Sequence, residues 1–455
     1  MLVVVDGEHY PPVVTSALAD IATGGDEVVA AVLVGGREKL PAGGIGAYGD
    51  VPVRSGGDPR ALLDRAILEL APDEILDLSD EPVLDYRHRH DLISLALYRN
   101  VPYRGMDFRF TPPPRPPLSK RPSLAIIGTG KRTGKTAVSG YVARTLHAAG
   151  ITPVVVAMGR GGPEEPEVLR GDEIDLTPAD LLALVDQGKH AASDYIEDAM
   201  LSRVPTVGCR RCGGGLAGGV GISNIPRGIA IADSIPADIT ILEGSGASIP
   251  PAHADVSGLV VPASIPEEYL AGYLGPYRML LADFVVVSMC EYPFGTPSQI
   301  SQVASRIQDS FRPARRGGGS REAIRVVRTV FRPVPTVPVQ GMAVFVATTA
   351  PEAAGESISR HLEEEHGCRV VGISHALSDR EQLEADIQTI GKGADTLLCE
   401  IKAAAIDVAT RRALDLGMDV VYMDNVPVGI EGDDLESVVT WAAELARERH
   451  QREER

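Results

Sequence analysis

"IIGTGKRTGKTAVSG", residues 126–140, is the stretch on which the fold of this chain turns. Its tail, Gly134-Lys135-Thr136, has the form that closes a phosphate-binding loop, G-x-x-x-x-G-K-[ST]. In that form the first glycine falls at position 129, where this chain has Thr129, and Gly128 stands one place early. The flanks supply the context such a loop needs. Leu124 to Ile127 reads as an apolar strand, the glycines as a turn, and Lys135-Thr136-Ala137-Val138 as the opening of a helix. Backbone N–H groups of that turn and of the helix N-terminus can wrap a triphosphate. Lys135 would then reach the β- and γ-phosphates of ATP and the Thr136 hydroxyl would take Mg²⁺. Gly128, Thr129, Gly130, Thr133, Gly134 and Ala137 complete the expected nucleotide cradle.

Working outward, short Val/Ile/Leu runs alternate with Ala/Leu-rich helical stretches, the pattern of an open, mostly parallel sheet. The expected fold is therefore α/β, a P-loop NTPase-type sheet flanked by an N-terminal α/β domain and a further C-terminal α/β region. "MLVVVDG", "EVVAAVLVGG" and "EILDLSD" supply strands of the first domain, residues 1–110. The stretch 111–122, "TPPPRPPLSKRP", is too proline-rich for a helix and reads as a linker. Residues 123–310 form the nucleotide-binding domain. Residues 311–455 complete the catalytic unit, entered through the glycine- and arginine-rich "FRPARRGGGSREA", expected to be a mobile loop or linker. The charged end, "AAELARERHQREER", reads as a helix that frays.

Composition narrows the function classes. The chain has 455 residues, 44% hydrophobic and 23% charged, as in a globular protein. A formal net charge of -18 argues against nucleic acid or an anionic membrane as a partner, so an anionic substrate must be held by local cations. No stretch approaches the roughly 20 apolar residues of a membrane span. Asp6 interrupts the apolar start, which argues against a signal peptide, and five cysteines do not make a disulfide scaffold. The cytoplasm is the expected compartment.

The displaced glycine has a precedent. "GTGKRTGKT" resembles the nine-residue loop G-T-D-x-x-x-G-K-[ST] of dethiobiotin synthetase, one residue longer than the common form. "ITILEGSGAS", residues 239–248, resembles the E-G-A-G segment with which that family binds Mg²⁺, which makes Glu243 the expected metal partner of Thr136; an ordinary strand-end turn is the alternative. Where the dethiobiotin loop is acidic, this one carries Lys131 and Arg132. Two cations there suit an acceptor richer in negative charge than a carbamate, unless they are merely solvated.

Further segments are more specific. "VVVDGEHYPPVV", "AMGRGGPEEPEVLRG", "GKHAASDYIEDA", "VGCRRCGGGLAGGVGISN" and "CEIKAAAIDVA" follow in this order. Together and at this length the chain resembles the cyclic 2,3-diphosphoglycerate synthetase family across essentially its whole sequence. The resemblance implies a ligase that uses ATP and Mg²⁺ to close an intramolecular phosphoanhydride in 2,3-bisphosphoglycerate, releasing ADP and phosphate. A homodimer is the expected assembly.

Each segment also has a reading of its own. Asp6, Glu8 and His9 follow a strand, where ligands bind in such sheets, although an Asp-Gly turn explains Asp6 equally well. Arg160 offers a transition-state cation beside the nucleotide, or is a solvated surface arginine. Lys189 and His190 lead into Ser193, Asp194 and Tyr195, a candidate substrate segment or simply a charged helix start. Arg210 and Arg211 precede a glycine run whose N–H groups can nest an anion. Cys209 and Cys212 form C-x-x-C without a second pair nearby, so a tight turn outweighs zinc. Glu400, Lys402 and Asp407, and Asp424 with Asn425 as an adenine reader, are candidates that packing explains nearly as well. Two rival functions remain at this level. One is a small-molecule kinase that stops after phosphoryl transfer. The other is a nucleotide-dependent switch or metallochaperone using the two cysteines.

Overall fold

The computed structural model describes residues 1–42, 44–313 and 323–453. Residues 314–322, most of the glycine- and arginine-rich stretch, lie outside the described residues. The chain divides into two compact units, each drawing on several segments. The first comprises Met1–Pro114 with Ile265–Ala282 and Ser305–Ile324, and the second comprises Arg115–Ser264, Asp283–Ala304 and Arg325–Arg455. Both are mixed α/β with mostly parallel sheets, the class expected from the alternating pattern. Among the described residues no helix is long and apolar enough to cross a membrane.

In the first unit the chain's opening strand, Leu2–Val5, sits in the middle of a seven-stranded sheet. It pairs in parallel with Ala30–Leu33 on one side and Ile75–Asp77 on the other. All four of its residues are buried, as a central parallel strand requires. Asp58 and Asp85 cap the following helices, Pro59–Leu70 and Tyr86–Tyr98, by accepting from the Arg60 and His88 N–H groups. The bidentate Arg99–Asp64 pair (2.6 and 2.9 Å) is buried between those two helices.

The second unit is built on a 13-stranded sheet. The strand Ser123–Gly128 lies between Ile239–Glu243 and Val256–Pro262, and all three run parallel. Parallel pairing continues through Phe284–Ser288 to the long strand Arg325–Pro335. That long strand changes partner along its length. Arg325–Arg328 pair in parallel with Phe284–Val287, whereas Thr329–Pro335 pair antiparallel with Asp419–Gly429. Strands Thr396–Glu400 and Ala343–Ala347 follow in parallel with Asp419–Gly429. The C-terminal strands therefore run opposite to the loop-bearing ones. The carboxyl ends of both sets open toward each other, and the stretch between Thr329 and Pro335 separates them by about 20 Å at the usual strand rise.

One apolar core serves both halves of this unit, joining Leu124, Val138 and Val260 to Phe345, Leu397, Leu435 and Val439. The final helix, Leu435–Glu453, packs on the loop helix Lys135–Ala148. Its expected fraying is overturned. Arg449 donates to the Asp255 carbonyl (2.6 Å) and to both Asp283 oxygens (2.9 and 3.1 Å), and Ala442, Ala443 and Ala446 are buried. The charged spacing hid one arginine aimed inward at a buried acid. Arg449→Ala is expected to cost about 2 kcal/mol, the scale of a hydrogen-bonded charge. An unchanged denaturant midpoint would return that helix end to the fraying class.

Candidate active site

The loop is held by its own glycines. The Lys135 stem lies across Gly128, where an added Cβ would meet Cδ at 2.7 Å. The glycine one place early is thus the residue the lysine crosses. Gly134 caps the helix Lys135–Ala148 at φ 87, and a Cβ there would meet the Phe331 ring at 2.2 Å. Arg132 also adopts positive φ (61). Lys135 Nζ donates to the Gly130 carbonyl at 2.9 Å, and Ser288 Oγ donates to the Thr133 carbonyl at 2.8 Å. Burial pushes the Lys135 ammonium down to about 8, opposed by Glu243 and Asp194.

Beneath the loop lies a set of acids. Glu243 ends the strand Ile239–Glu243 and is buried. The helix Asp194–Ser202 presents Asp194, Glu197 and Asp198, whose i, i+3, i+4 spacing puts them on one face. Burial, then repulsion from Asp194, pushes Glu243 up to about 7, against the lowering effect of Asp198, Thr136 and Lys135. Burial and then Glu243 push Asp198 well above the ordinary carboxylate range. Two acids this close hold one carboxyl group protonated. Apart from each other, both Asp198 oxygens and Glu243 Oε2 find no hydrogen-bond partner among the described residues.

That orphaned donor set suits a divalent cation next to Thr136. No group of three acids, histidines or cysteines among the described residues is arranged to hold a metal by itself. Mg²⁺ ordinarily takes one or two carboxylates and completes its shell with phosphate oxygens and waters. The residues present fit that mode.

A cavity of about 810 Å³ opens over the loop, entirely within the second unit. Lys131, Arg132, Thr133, Gly134, Lys135, Thr136, Ala137, Arg160, His190 and Asn425 all line it. Arg160 and Arg211 converge, since a Cβ on Gly246 would lie 3.0 and 3.3 Å from their Nη2 atoms. Arg211 Nη2 donates to the Ser245 carbonyl at 2.8 Å. Gly128, Thr129, Gly130 and Glu243 are not among the residues that line it.

Other candidates are placed elsewhere. Lys189 is exposed and paired with Glu167 at 3.1 Å, and Arg210 is exposed with Glu164 at 3.7 Å; neither lines the cavity. Asp6 belongs to the first unit, where it is buried and accepts from the N–H groups of Glu8, His9 and Asp80. His9 Nδ1 lies 2.9 Å from the same carboxylate. Burial pushes the Cys209 thiol up to about 12, while Cys212 is exposed. Asp407 pairs with Arg380, and Asp424 is buried against Arg144. The opposite wall supplies residues the sequence did not single out, Thr348, Thr349, Ser357 and His375, and the aromatic Phe331, which lies against Gly134, also lines the cavity. Glu400, buried there, accepts from the Thr348 and Thr349 hydroxyls at 2.5 and 2.9 Å. Asp198 had one available signal, its helical spacing from Asp194.

Three family models match: the cyclic 2,3-diphosphoglycerate synthetase N-terminal domain over residues 1–111, its P-loop domain over 123–315, and its C-terminal domain over 335–426. A cyclic 2,3-diphosphoglycerate synthetase of Methanothermobacter thermautotrophicus is 44% identical, over 98% of this chain and 96% of the relative. That of Rubrobacter xylanophilus is 45% identical over 95% of each chain. That of Methanothermus fervidus is 43% identical over 95% of this chain and 93% of the relative.

Proposed function

Because this chain belongs to the cyclic 2,3-diphosphoglycerate synthetase family, and is thus an ATP-dependent ligase forming cyclic 2,3-diphosphoglycerate, we propose that the cavity over the loop is where the ring closes. The observation that carries this reading is the pairing of a complete phosphate loop with a buried acid set beneath it and the cations Lys131, Arg132 and Arg160 lining the cavity around it.

The loop amides and Lys135 hold the ATP phosphates, with Asn425 on the base side. Thr136 and Glu243 hold Mg²⁺, which when bound neutralises developing charge on the phosphates. One phosphate of 2,3-bisphosphoglycerate attacks the γ-phosphorus, and ADP leaves. The other substrate phosphate then attacks the activated phosphorus of the first, forming the P–O–P bond of the ring and expelling inorganic phosphate. Arg160 balances the charge spread over the transferring group, and Lys131 and Arg132 do so from its acceptor side, with His190 and Arg211. No protein nucleophile is required, only position and charge. His9, held by Asp6, together with Lys189 and Arg210, stays a proposed substrate contact outside the cavity lining. We take the protein as a cytoplasmic homodimer.

The test lies in which substrate suffers. The double variant Lys131→Ala with Arg132→Ala is expected to raise KM for 2,3-bisphosphoglycerate at least about tenfold while ATP affinity stays within about twofold. Equal losses for both substrates would move these cations from the acceptor to the nucleotide.

A further inference from the structure

The cations assigned above all come from the loop-bearing half of the sheet. Ring closure makes a demand that they do not meet alone. At neutral pH each substrate phosphate carries about -1.5 to -2 charges, and the two must approach to bonding distance. Cations on one side hold them without drawing them together. A countercharge from the opposite wall is needed.

Lys402 is in that position. It follows the strand Thr396–Glu400, whose carboxyl end faces the loop across the cavity, and it lines that cavity. Its Nζ lies 3.1 Å from Glu197 Oε1, on the same helix as Asp194 and Asp198. Glu197 is its only close ion-pair partner among the described residues, and an ammonium has three donors. The side chain keeps 32% of its surface exposed, and it lines the cavity. Burial disfavours its charged form, and the neighbouring carboxylates of Glu197 and Glu400 outweigh that.

The backbone that follows this residue is unusual. Ala403, next in sequence and also lining the cavity, has a left-handed φ of 50. The π-helix Ala405–Thr410 begins two residues further on. Such conformations persist where the surroundings over-determine them, and they cluster at functional sites. Here they directly follow the residue whose ammonium meets Glu197.

We propose that Lys402, oriented by Glu197, is a catalytic cation that binds the second phosphate of 2,3-bisphosphoglycerate and brings it against the activated first phosphate for ring closure. This rests on the cavity being the site of reaction. The full-length Lys402→Met variant is expected to raise KM for 2,3-bisphosphoglycerate at least about tenfold and to lower kcat, with affinity for a non-hydrolysable ATP analogue kept within about twofold. Lys402→Arg should recover part of the loss. The discriminating variant is Glu197→Gln combined with Lys402→Met, which leaves no buried charge unpaired and so also serves if Lys402→Met alone fails to fold. If Lys402 contacts substrate, the double variant is as impaired for 2,3-bisphosphoglycerate as expected for the single one. Recovery to within a few-fold of wild type would show that Lys402 only neutralises Glu197 and overturn the proposal, as would equal loss of nucleotide affinity. Wild-type and variant proteins run side by side separate this from the reading beneath it. An unaffected Lys402→Met variant sinks Lys402 alone. Full ring-forming activity in Lys135→Ala and in the Lys131, Arg132 double variant would move the reaction away from this cavity altogether.

Discussion

Lys135→Ala is expected to lower kcat by about 10²–10³ while the protein melts as wild type does. The Lys135 side chain is buried, threaded over Gly128, and its ammonium rests on the Gly130 carbonyl until a phosphate displaces it. Its removal takes one preorganised cation from the γ-phosphate. It also takes a positive neighbour from Glu243 and Asp194. Those acids already titrate above their ordinary range, so they respond by holding protons more tightly rather than by standing charged and unpaired. The core of the unit, built from Leu124, Val138, Phe345 and Leu435, does not include this lysine. Stability should therefore hold while catalysis collapses. Steady-state turnover within a few-fold of wild type would remove the loop from the catalytic step.

Glu243→Gln should move two measurements in opposite directions. Turnover at millimolar magnesium is expected to fall about 10²-fold, and the magnesium needed for half-maximal rate to rise at least about tenfold, because a charged metal partner is lost. Without magnesium, the variant should be slightly more stable than wild type. Glutamine keeps the shape, removes a charge repelled by Asp194, and can donate to Asp198 without needing a shared proton. A glutamate kept for architecture would behave in the reverse way. Lost stability with an unchanged magnesium titration would assign Glu243 to the fold.

The sequence made the loop-bearing half legible because every local signal agreed there. An apolar strand, a glycine turn and a helix start stood in direct succession from Leu124 to Val138. Strand-end Glu243 was visible for the same reason. Asp198 was not, because a buried acid on a helix looks like any charged helix residue until a second acid is placed against it. The opposite wall was hidden by a different cause. Val/Ile/Leu runs mark strands but not their direction, and the reversal at Thr329 depends on which neighbour each part of the strand finds. Nor does alternation say which unit a helix packs on. Gly275–Leu281 lies in sequence between two strands of the loop-bearing sheet, yet it packs on Tyr86–Tyr98 of the first unit.

The strand Arg325–Pro335 also acts as a ruler. Each half of the sheet has one strand hydrogen-bonded to it, Phe284–Ser288 on one side and Asp419–Gly429 on the other, so the separation of the two halves is measured out in residues and is not left to a mobile joint. Such a ruler has coarse graduations. Adding or removing one residue between Thr329 and Pro335 would turn Phe331 and Pro333 to the opposite face, so the reach can change only in pairs, about 7 Å at a time. Selection for a longer or shorter substrate therefore has no small adjustments available in this strand. It must act through the side chains that project from the two walls.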